Sequence, residues 1–567
     1  MAQSRRFPRL PLFPALTVLV LLGPVVAGLW GTLLPAFGHL PAAGLSGPSL
    51  DAFRALLDWP GFGPAARLSV VTGLAAAILS LAITALILAG WAGTRGFGVL
   101  ERLLSPFLSV PHAAAAFGLA FLIAPSGWIA RLFSPWLTGW DRPPDVLILN
   151  DPWGLSLIAG MVMKEVPFLL LMSIAALGQI DGRRRMALSQ SMGYGRISAW
   201  MFAIFPAVYA RIRLPVLVVL TWSMSVVDVA VILGPSTPPT LSVQIVRWMS
   251  DPDLAFRLQA AAAALVQLAL VIGVVGLWFA GEKLVAHLAC RRIEMGHRGH
   301  YDRPLRLTGF ALGTAISVAL LLGLFSLGIW SVAGFWSFPD LTPDQLTTRN
   351  WMRHYSGSLG AFFETMLIAS IAVAIGLALT IGCLETEHRR NLRLTQRGMW
   401  LIYLPLIVPQ TAFLPGLQTL FLNFGLDMGR APVVLAHLVF VLPYLRLSLE
   451  GPWQAWDPRQ ATVAAALGAS PDRVLWRIRL PMLLAPLLTA IAVGVAVSVG
   501  QYLPTLLVGG GRIETLTTEA VALASGGDRR AIGVFGLMQT AAALVPFALA
   551  LVLPALIWRN RKGLLHG

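Results

Sequence analysis

Residues 462–481 read Thr462-Val-Ala-Ala-Ala-Leu-Gly468-Ala-Ser-Pro-Asp-Arg-Val-Leu-Trp-Arg-Ile478-Arg-Leu-Pro481, and residues 187–206 read Ala187-Leu-Ser-Gln-Ser-Met-Gly193-Tyr-Gly-Arg-Ile-Ser-Ala-Trp-Met-Phe-Ala-Ile-Phe-Pro206. Both run from a glycine across twelve residues to a proline, and the offset is the same at each end (468 − 193 = 481 − 206 = 275). Each is a polar, basic stretch between two long apolar segments. A short helix ended by glycine and relaunched toward proline makes a rigid knob. Two such knobs on one side of a membrane call for a partner with two-fold symmetry on that side.

The apolar segments define the fold class. A mean hydropathy of +0.75, 57% hydrophobic and 12% charged residues over 567 positions exclude an ordinary soluble domain. The apolar material comes in runs of about 20 residues, the length a helix needs to cross roughly 30 Å of hydrocarbon. Twelve spans are expected, near 13–35, 66–91, 105–124, 155–177, 214–234, 259–281, 309–335, 361–384, 400–422, 431–449, 483–508 and 533–557. The expected fold is an all-α polytopic membrane protein.

The net charge of +16 is spread along the chain. Basic clusters fall at Arg5, Arg6 and Arg9; at Arg183, Arg184 and Arg185; at Arg291, Arg292 and Arg298; at Arg389, Arg390, Arg393 and Arg397; and at Arg559, Arg561 and Lys562. These occupy alternate loops, which puts both termini and both repeated loops in the cytoplasm by the positive-inside rule. A nucleic-acid footprint would cluster on one soluble face instead, so no nucleic-acid partner is expected. The N-terminal segment lacks a convincing cleavage site and reads as an uncleaved first helix. Cys290 and Cys383 offer neither a disulfide framework nor a metal site and read as packing residues.

The repeat extends beyond the loops. Pro111 and Gly118 are seven apart, as are Pro409 and Gly416; Pro167-Phe168 matches Pro443-Tyr444; Gln259 followed by alanines matches Gln539. With an even number of helices each, the halves share one orientation: two fused, parallel-repeat halves of about six transmembrane helices each. The expected division is a first half over 1–282, a cytoplasmic linker over 283–308 and a second half over 309–567. His297, His300 and Asp302 in the linker form an HxxHxD pattern, read as solvated linker rather than a metal site.

An alanine-rich helix, a glycine, nine residues and Ile-x-Leu-Pro resembles the EAA loop of permease subunits of binding-protein-dependent ABC importers. Val463, Ala464, Gly468, Ile478, Leu480 and Pro481 carry the likeness in the second loop; Gly193 and Pro206 carry it in the first. Ala187 and Thr462 stand where the family has glutamate. Over both halves the chain resembles the fused double permeases of thiamine, iron(III) and related small-solute importers. The resemblance implies a bacterial inner-membrane transport subunit, two cytoplasmic ATPase subunits on the coupling loops (Ala187, Gly193, Pro206, Ala464, Gly468, Ile478, Pro481) and an extracytoplasmic solute-binding protein.

A phosphate-binding loop needs Gly-Lys followed by Ser or Thr, and Lys164, Lys283 and Lys562 are preceded by Met, Glu and Arg. No cofactor is therefore expected in this chain, ATP and magnesium belonging to the partner subunits. Charged residues inside spans normally face a cavity or a partner. Asp228, Gln501 and Tyr502, with Lys164, Glu165 and His112, are the candidates for a translocation path; a structural pairing of Lys164 with Asp228 stands beside that reading. His112 and His437 also read as helix–helix hydrogen bonds. Glu364 and the aromatics Trp330, Trp336, Trp351 and Tyr355 read as interface-belt residues, and Gly509 to Gly511 as an outer turn. The chief rival reading is an ion-gradient-driven carrier of two six-helix repeats with Asp228 and Glu165 as ion sites; a membrane enzyme lacks any clustered catalytic set.

Overall fold

The computed structural model describes residues 12–557 apart from 42–43, 46, 300–301, 393–394 and 426–428. The clusters at Arg5, Arg6 and Arg9 and at Arg559, Arg561 and Lys562, together with Arg393 and His300, lie outside the described residues. Among the described residues the regular structure is helical, with two isolated β-bridges, Leu40–Leu45 and Ala333–Leu346. Ten helices are long and apolar enough to cross a membrane, or twelve if each of two bent pairs is one span.

In the first repeat α1 is Leu12–Ala36, α2 Phe62–Trp91, α3 His112–Ile123, α4 Leu155–Leu177, α5 Gly182–Ser191, α6 Phe205–Ser225, α7 Asp228–Leu233 and α8 Ala255–Glu294. The second repeat answers in the same order: α9 Asp302–Val332, α10 Arg349–Arg389, α11 Gln410–Asn423, α12 Arg430–Ala455, α13 Arg459–Ala466, α14 Leu484–Val499, α15 Leu503–Val508 and α16 Arg529–Ile557. Because α8 runs to Glu294 and α9 starts at Asp302, only 295–301 separate the two helices.

Four expected spans are broken, at matching places. The segment 105–124 is interrupted before Pro111, and 400–422 bends by 83° at Val408-Pro409. Proline lacks the N–H that the helix ladder needs and pushes the residue before it out of the helical region. The segments 214–234 and 483–508 break at Val226-Val227 and at Gly500-Gln501-Tyr502. A break frees carbonyls that cannot be left bare in a membrane. Gln267, fully buried on α8, donates to Met224 O at 2.8 Å. Gln539 on α16 donates to Thr517 Oγ1 at 2.6 Å, and Thr517 passes the bond to Val499 O. Met224 and Val499 are 275 apart. The match expected between Gln259 and Gln539 is thereby corrected: Gln259 bonds Ala55 O at the surface, and Gln267 takes the equivalent role.

The repeats are interlocked. α1 packs along α11 of the other repeat, and α9 packs along α3. Glycines make both crossings: Gly28 and Gly31 meet Phe413 and Gly416, and Gly323 meets Gly118. Without a side chain the backbones approach closely, the usual basis of helix association where lipid is as apolar as the interface. One hydrophobic core runs through both repeats. Exposed apolar residues such as Ile272, Leu277, Leu322 and Phe325 lie on the membrane-crossing helices α8 and α9, where lipid takes the place of water.

Candidate functional site: paired loops and a polar cluster

Both loops leave the membrane on the same face, since each follows the fourth helix of its repeat and precedes the sixth. Asp181 caps α5 by accepting from Arg184 N at 3.3 Å. α5 ends with Gly193 N bonded to Gln190 O and Tyr194 N to Ser189 O, at 2.9 and 3.2 Å. α13 ends with Gly468 N bonded to Ala465 O and Ala469 N to Ala464 O, at 3.0 and 2.9 Å. This pair of bonds requires a left-handed residue, and Gly193 and Gly468 have φ of 85° and 80°.

After the glycine each chain relaunches as a four-residue turn, Arg196–Ala199 or Pro471–Val474, and passes through a π turn, Trp200–Ile204 or Leu475–Arg479. Phe205 N reaches back five residues to Trp200 O, and Leu480 N to Leu475 O. The widened ladder precedes Pro206 and Pro481, which have no N–H to give. The outward faces also match. Leu188 and Met192 are 56% and 62% exposed, and their counterparts Val463 and Leu467 are 61% and 83% exposed. Ala187 is exposed, Ile478 half-buried, and Ala464 buried against Trp456 and Val474.

The two loops are held differently. The second is clasped by α10: Arg479, 2% exposed, pairs with Glu385 at 2.7 Å, contacts His388 Nε2 at 2.6 Å and lies 4.1 Å over the Trp456 ring. Arg389 joins Glu385 to Asp472 at 2.6 and 2.9 Å. Beside it Arg446 grips Glu387 through two bonds of 2.9 and 2.7 Å. The first loop has Ile204 where the second has Arg479, and is held by Asp302, which accepts from Arg196 N and Ile197 N at 2.5 and 3.2 Å. Asp302 is thus a helix cap rather than part of a solvated linker. Sequence reading missed Glu385, Arg479 and His388; the run Glu385-Thr-Glu387-His-Arg389 at the end of an apolar span was the available signal.

Polar residues meet at the four helix breaks. Residues Ala113 to Leu122 of α3 are all buried, so the helix is surrounded by protein. His112 at its start has a side chain 36% exposed. Gln410, first residue of α11, is likewise half-buried ahead of a buried run. His112 lies tilted on Trp222, centroids 4.4 Å apart, and its Nε2 is 3.5 Å from Glu165 Oε1. Asp228 interacts electrostatically with His112 and Tyr502, and Glu165 with Tyr444 of the other repeat. The structure thus gathers His112, Glu165, Asp228 and Tyr502 where the repeats meet; Gln501 lies half-buried in the break beside Tyr502.

Lys164 has a different partner set. Its Nζ donates to Phe107 O at 2.7 Å and Val110 O at 2.5 Å, with Leu108 O at 3.5 Å, holding the carbonyls freed before Pro111 rather than pairing with Asp228. His437 bridges Ser498 and Thr505, both at 2.8 Å, and is a helix–helix hydrogen bond as expected. Glu364 forms a two-bond pair with Arg430 at 2.6 and 2.9 Å. Trp330 and Trp336, expected in a lipid-facing belt, are buried with centroids 4.4 Å apart, under Arg529 and Arg131 respectively. Among the described residues no group of His, Cys, Asp and Glu could hold a metal ion.

Comparison with known proteins gives consistent results. The profile of the family described as binding-protein-dependent transport system inner membrane component matches residues 372–559. The chain is 30% identical over 551 residues to the inner membrane ABC transporter permease protein YnjC of Escherichia coli (strain K12), covering 96% of this chain and 98% of that protein. It is 26% identical over 435 residues to the thiamine transport system permease protein ThiP of Salmonella typhimurium, covering 74% of this chain and 75% of the relative. A 182-residue stretch, 29% of the chain, is 32% identical to 68% of the molybdenum transport system permease protein ModB of Mycobacterium tuberculosis. No solved structure matches.

Proposed function

This chain belongs to the binding-protein-dependent transport system inner membrane components, as a fused double permease of the ABC importer type, and from that premise we propose that its loops dock two ATPase subunits that drive alternating access through the lumen. The observation that carries this reading is the matched pair of loops, alike in glycine cap, π turn and exposed apolar pair at one constant offset. Leu188 with Met192, and Val463 with Leu467, would each fill an apolar groove on one ATPase. The glycine caps and the second loop's buried ion cluster make each loop a rigid body.

On this reading the loop face and both termini are cytoplasmic, and ATP and magnesium are bound by the partners. Closure of the two ATPases draws α5 and α13 together and opens the lumen to the other face, where a solute-binding protein delivers its cargo. Hydrolysis returns it. His112, Glu165, Asp228, Gln501 and Tyr502 line the path, and Lys164 holds its wall. The surrounding partner is bilayer lipid. Affinity purification of the tagged chain from native membranes in mild detergent tests the proposal. Two P-loop ATPase subunits per permease are expected; a solitary chain that transports along an ion gradient in liposomes would overturn it in favour of a gradient-driven carrier.

A further inference from the structure

The loops differ in what completes them. In the second, Ser470 caps the relaunched turn from within the loop, accepting from Arg473 N at 3.4 Å, and a Cβ on Gly468 would meet nothing within 4 Å. In the first, the cap is Asp302, 106 residues away. Gly195 N donates to Arg298 O at 3.0 Å, and a Cβ on Gly195 would lie 2.5 Å from Gly299 O. Arg298 and Gly299, in the stretch joining the repeats, are therefore laid flush on the first loop. It places the exposed Arg298 guanidinium at the loop's tip, where a Cβ on Gly193 would lie 3.0 Å from its Nη1.

The resulting surface is basic. α5 carries Arg183, Arg184 and Arg185 and no acidic residue, while Asp181 and Asp302, which cap the loop's helical turns, are committed to backbone N–H groups. Resting on the docking reading above, we infer that Arg298, Gly299 and Asp302, where the repeats join, are an integral part of the first docking surface: Asp302 seats the loop, and Arg298 meets carboxylates on the rim of an ATPase groove. Asp302 is a positioning residue. The repeats are joined in one chain so that the joint itself completes one of the two coupling elements.

Photocrosslinking of the full-length chain in native membranes tests this, with benzoylphenylalanine placed in turn at Leu188, Arg298 and Val463 and adducts identified by mass spectrometry. Position 298 is expected to crosslink to a P-loop ATPase; adducts to lipid alone, or none, overturn the inference. Asp302→Ala is expected to lower the Leu188 adduct several-fold and spare the Val463 adduct. Asp302→Asn should restore it in part, because the one amide oxygen can accept from one of the two N–H groups that Asp302 Oδ2 and Oδ1 serve, and alanine can accept from neither. An equal effect on both loops, or none, overturns the positioning role. Arg298→Glu, an exposed change that leaves the fold intact, should also lower the Leu188 adduct selectively; an unchanged yield counts against the inference. Failure of the docking reading is distinct, since the unmodified chain would then give no ATPase adduct at Val463.

Discussion

Gly118 of α3 and Gly323 of α9 meet backbone to backbone: a Cβ on Gly118 would lie 2.8 Å from the carbonyl carbon of Gly323, and one on Gly323 would lie 3.0 Å from that of Gly118. Helix backbones at this separation cannot shift independently. Gly118→Val or Gly323→Val should destabilise the protein by about 1–3 kcal/mol, the usual cost of overpacking. Thermal unfolding in detergent, followed by size-exclusion profile, reads this out; an unchanged midpoint would show that the crossing tolerates separation.

Lys164 anchors carbonyls that Pro111 leaves without donors. Lys164→Met keeps much of the side chain's volume and deletes the donor, so the loss should be about 1–3 kcal/mol for the orphaned carbonyls. Lys164→Arg should recover part of the stability. If Lys164→Met unfolds at the wild-type temperature, the ammonium has no structural role.

Arg479 and Glu385, 2% and 6% exposed, form a buried ion pair. Removing Glu385 leaves the buried Arg479 without a carboxylate and should cost about 3–5 kcal/mol; removing Arg479 should cost less, because Arg389 still pairs with Glu385. Arg479→Met combined with Glu385→Leu should cost less than Glu385→Leu alone. A double-mutant cycle on thermal stability measures the coupling, and additive single effects would argue against a functional pair.

Asp228→Asn and Tyr502→Phe change the polar cluster where the repeats meet with almost no change in shape. If these residues line the path, each lowers solute uptake per ATP hydrolysed while leaving the unfolding temperature and the bound ATPase as in wild type. Uptake and hydrolysis measured in the same proteoliposomes decide it; normal uptake in both variants removes them from the path.

Gly468 has φ of 80°, a conformation that costs a residue with a side chain roughly 1–2 kcal/mol. Gly468→Val should therefore distort the tip of the second loop, lowering uptake while basal ATP hydrolysis persists. Gly193→Val should do the same for the first. Full uptake with both loops substituted would contradict coupling through them.

The features legible in the sequence were those written locally. A glycine and a proline at fixed spacing specify a cap and a relaunch wherever they occur, so both loops, their common face and the repeat could be read before any contact was known. Runs of apolar residues likewise gave the spans. What escaped notice depends on distant partners. Arg479 meets Glu385 across 94 residues, and Asp302 meets Arg196 across 106. The alanine runs after Gln259 and Gln539 look alike, yet the choice of Gln267 is made by a carbonyl freed on another helix. Trp330 and Trp336 have the composition of a lipid belt, and only Arg529 and Arg131 stacked over them show that they are buried.

The crossing of α1 onto α11 also sets an order of events at the ribosome. The glycine face of α1 enters the bilayer early, but its partner surface begins at Phe413, 382 residues after Gly31 (413 − 31 = 382). Until that stretch has been synthesised and inserted, the glycine face of the first helix waits without its native partner, although α8 of its own repeat already packs on α1. A nascent chain stopped at 282 is therefore not half a transporter ready for use. It is an open clasp whose catch has not yet been made.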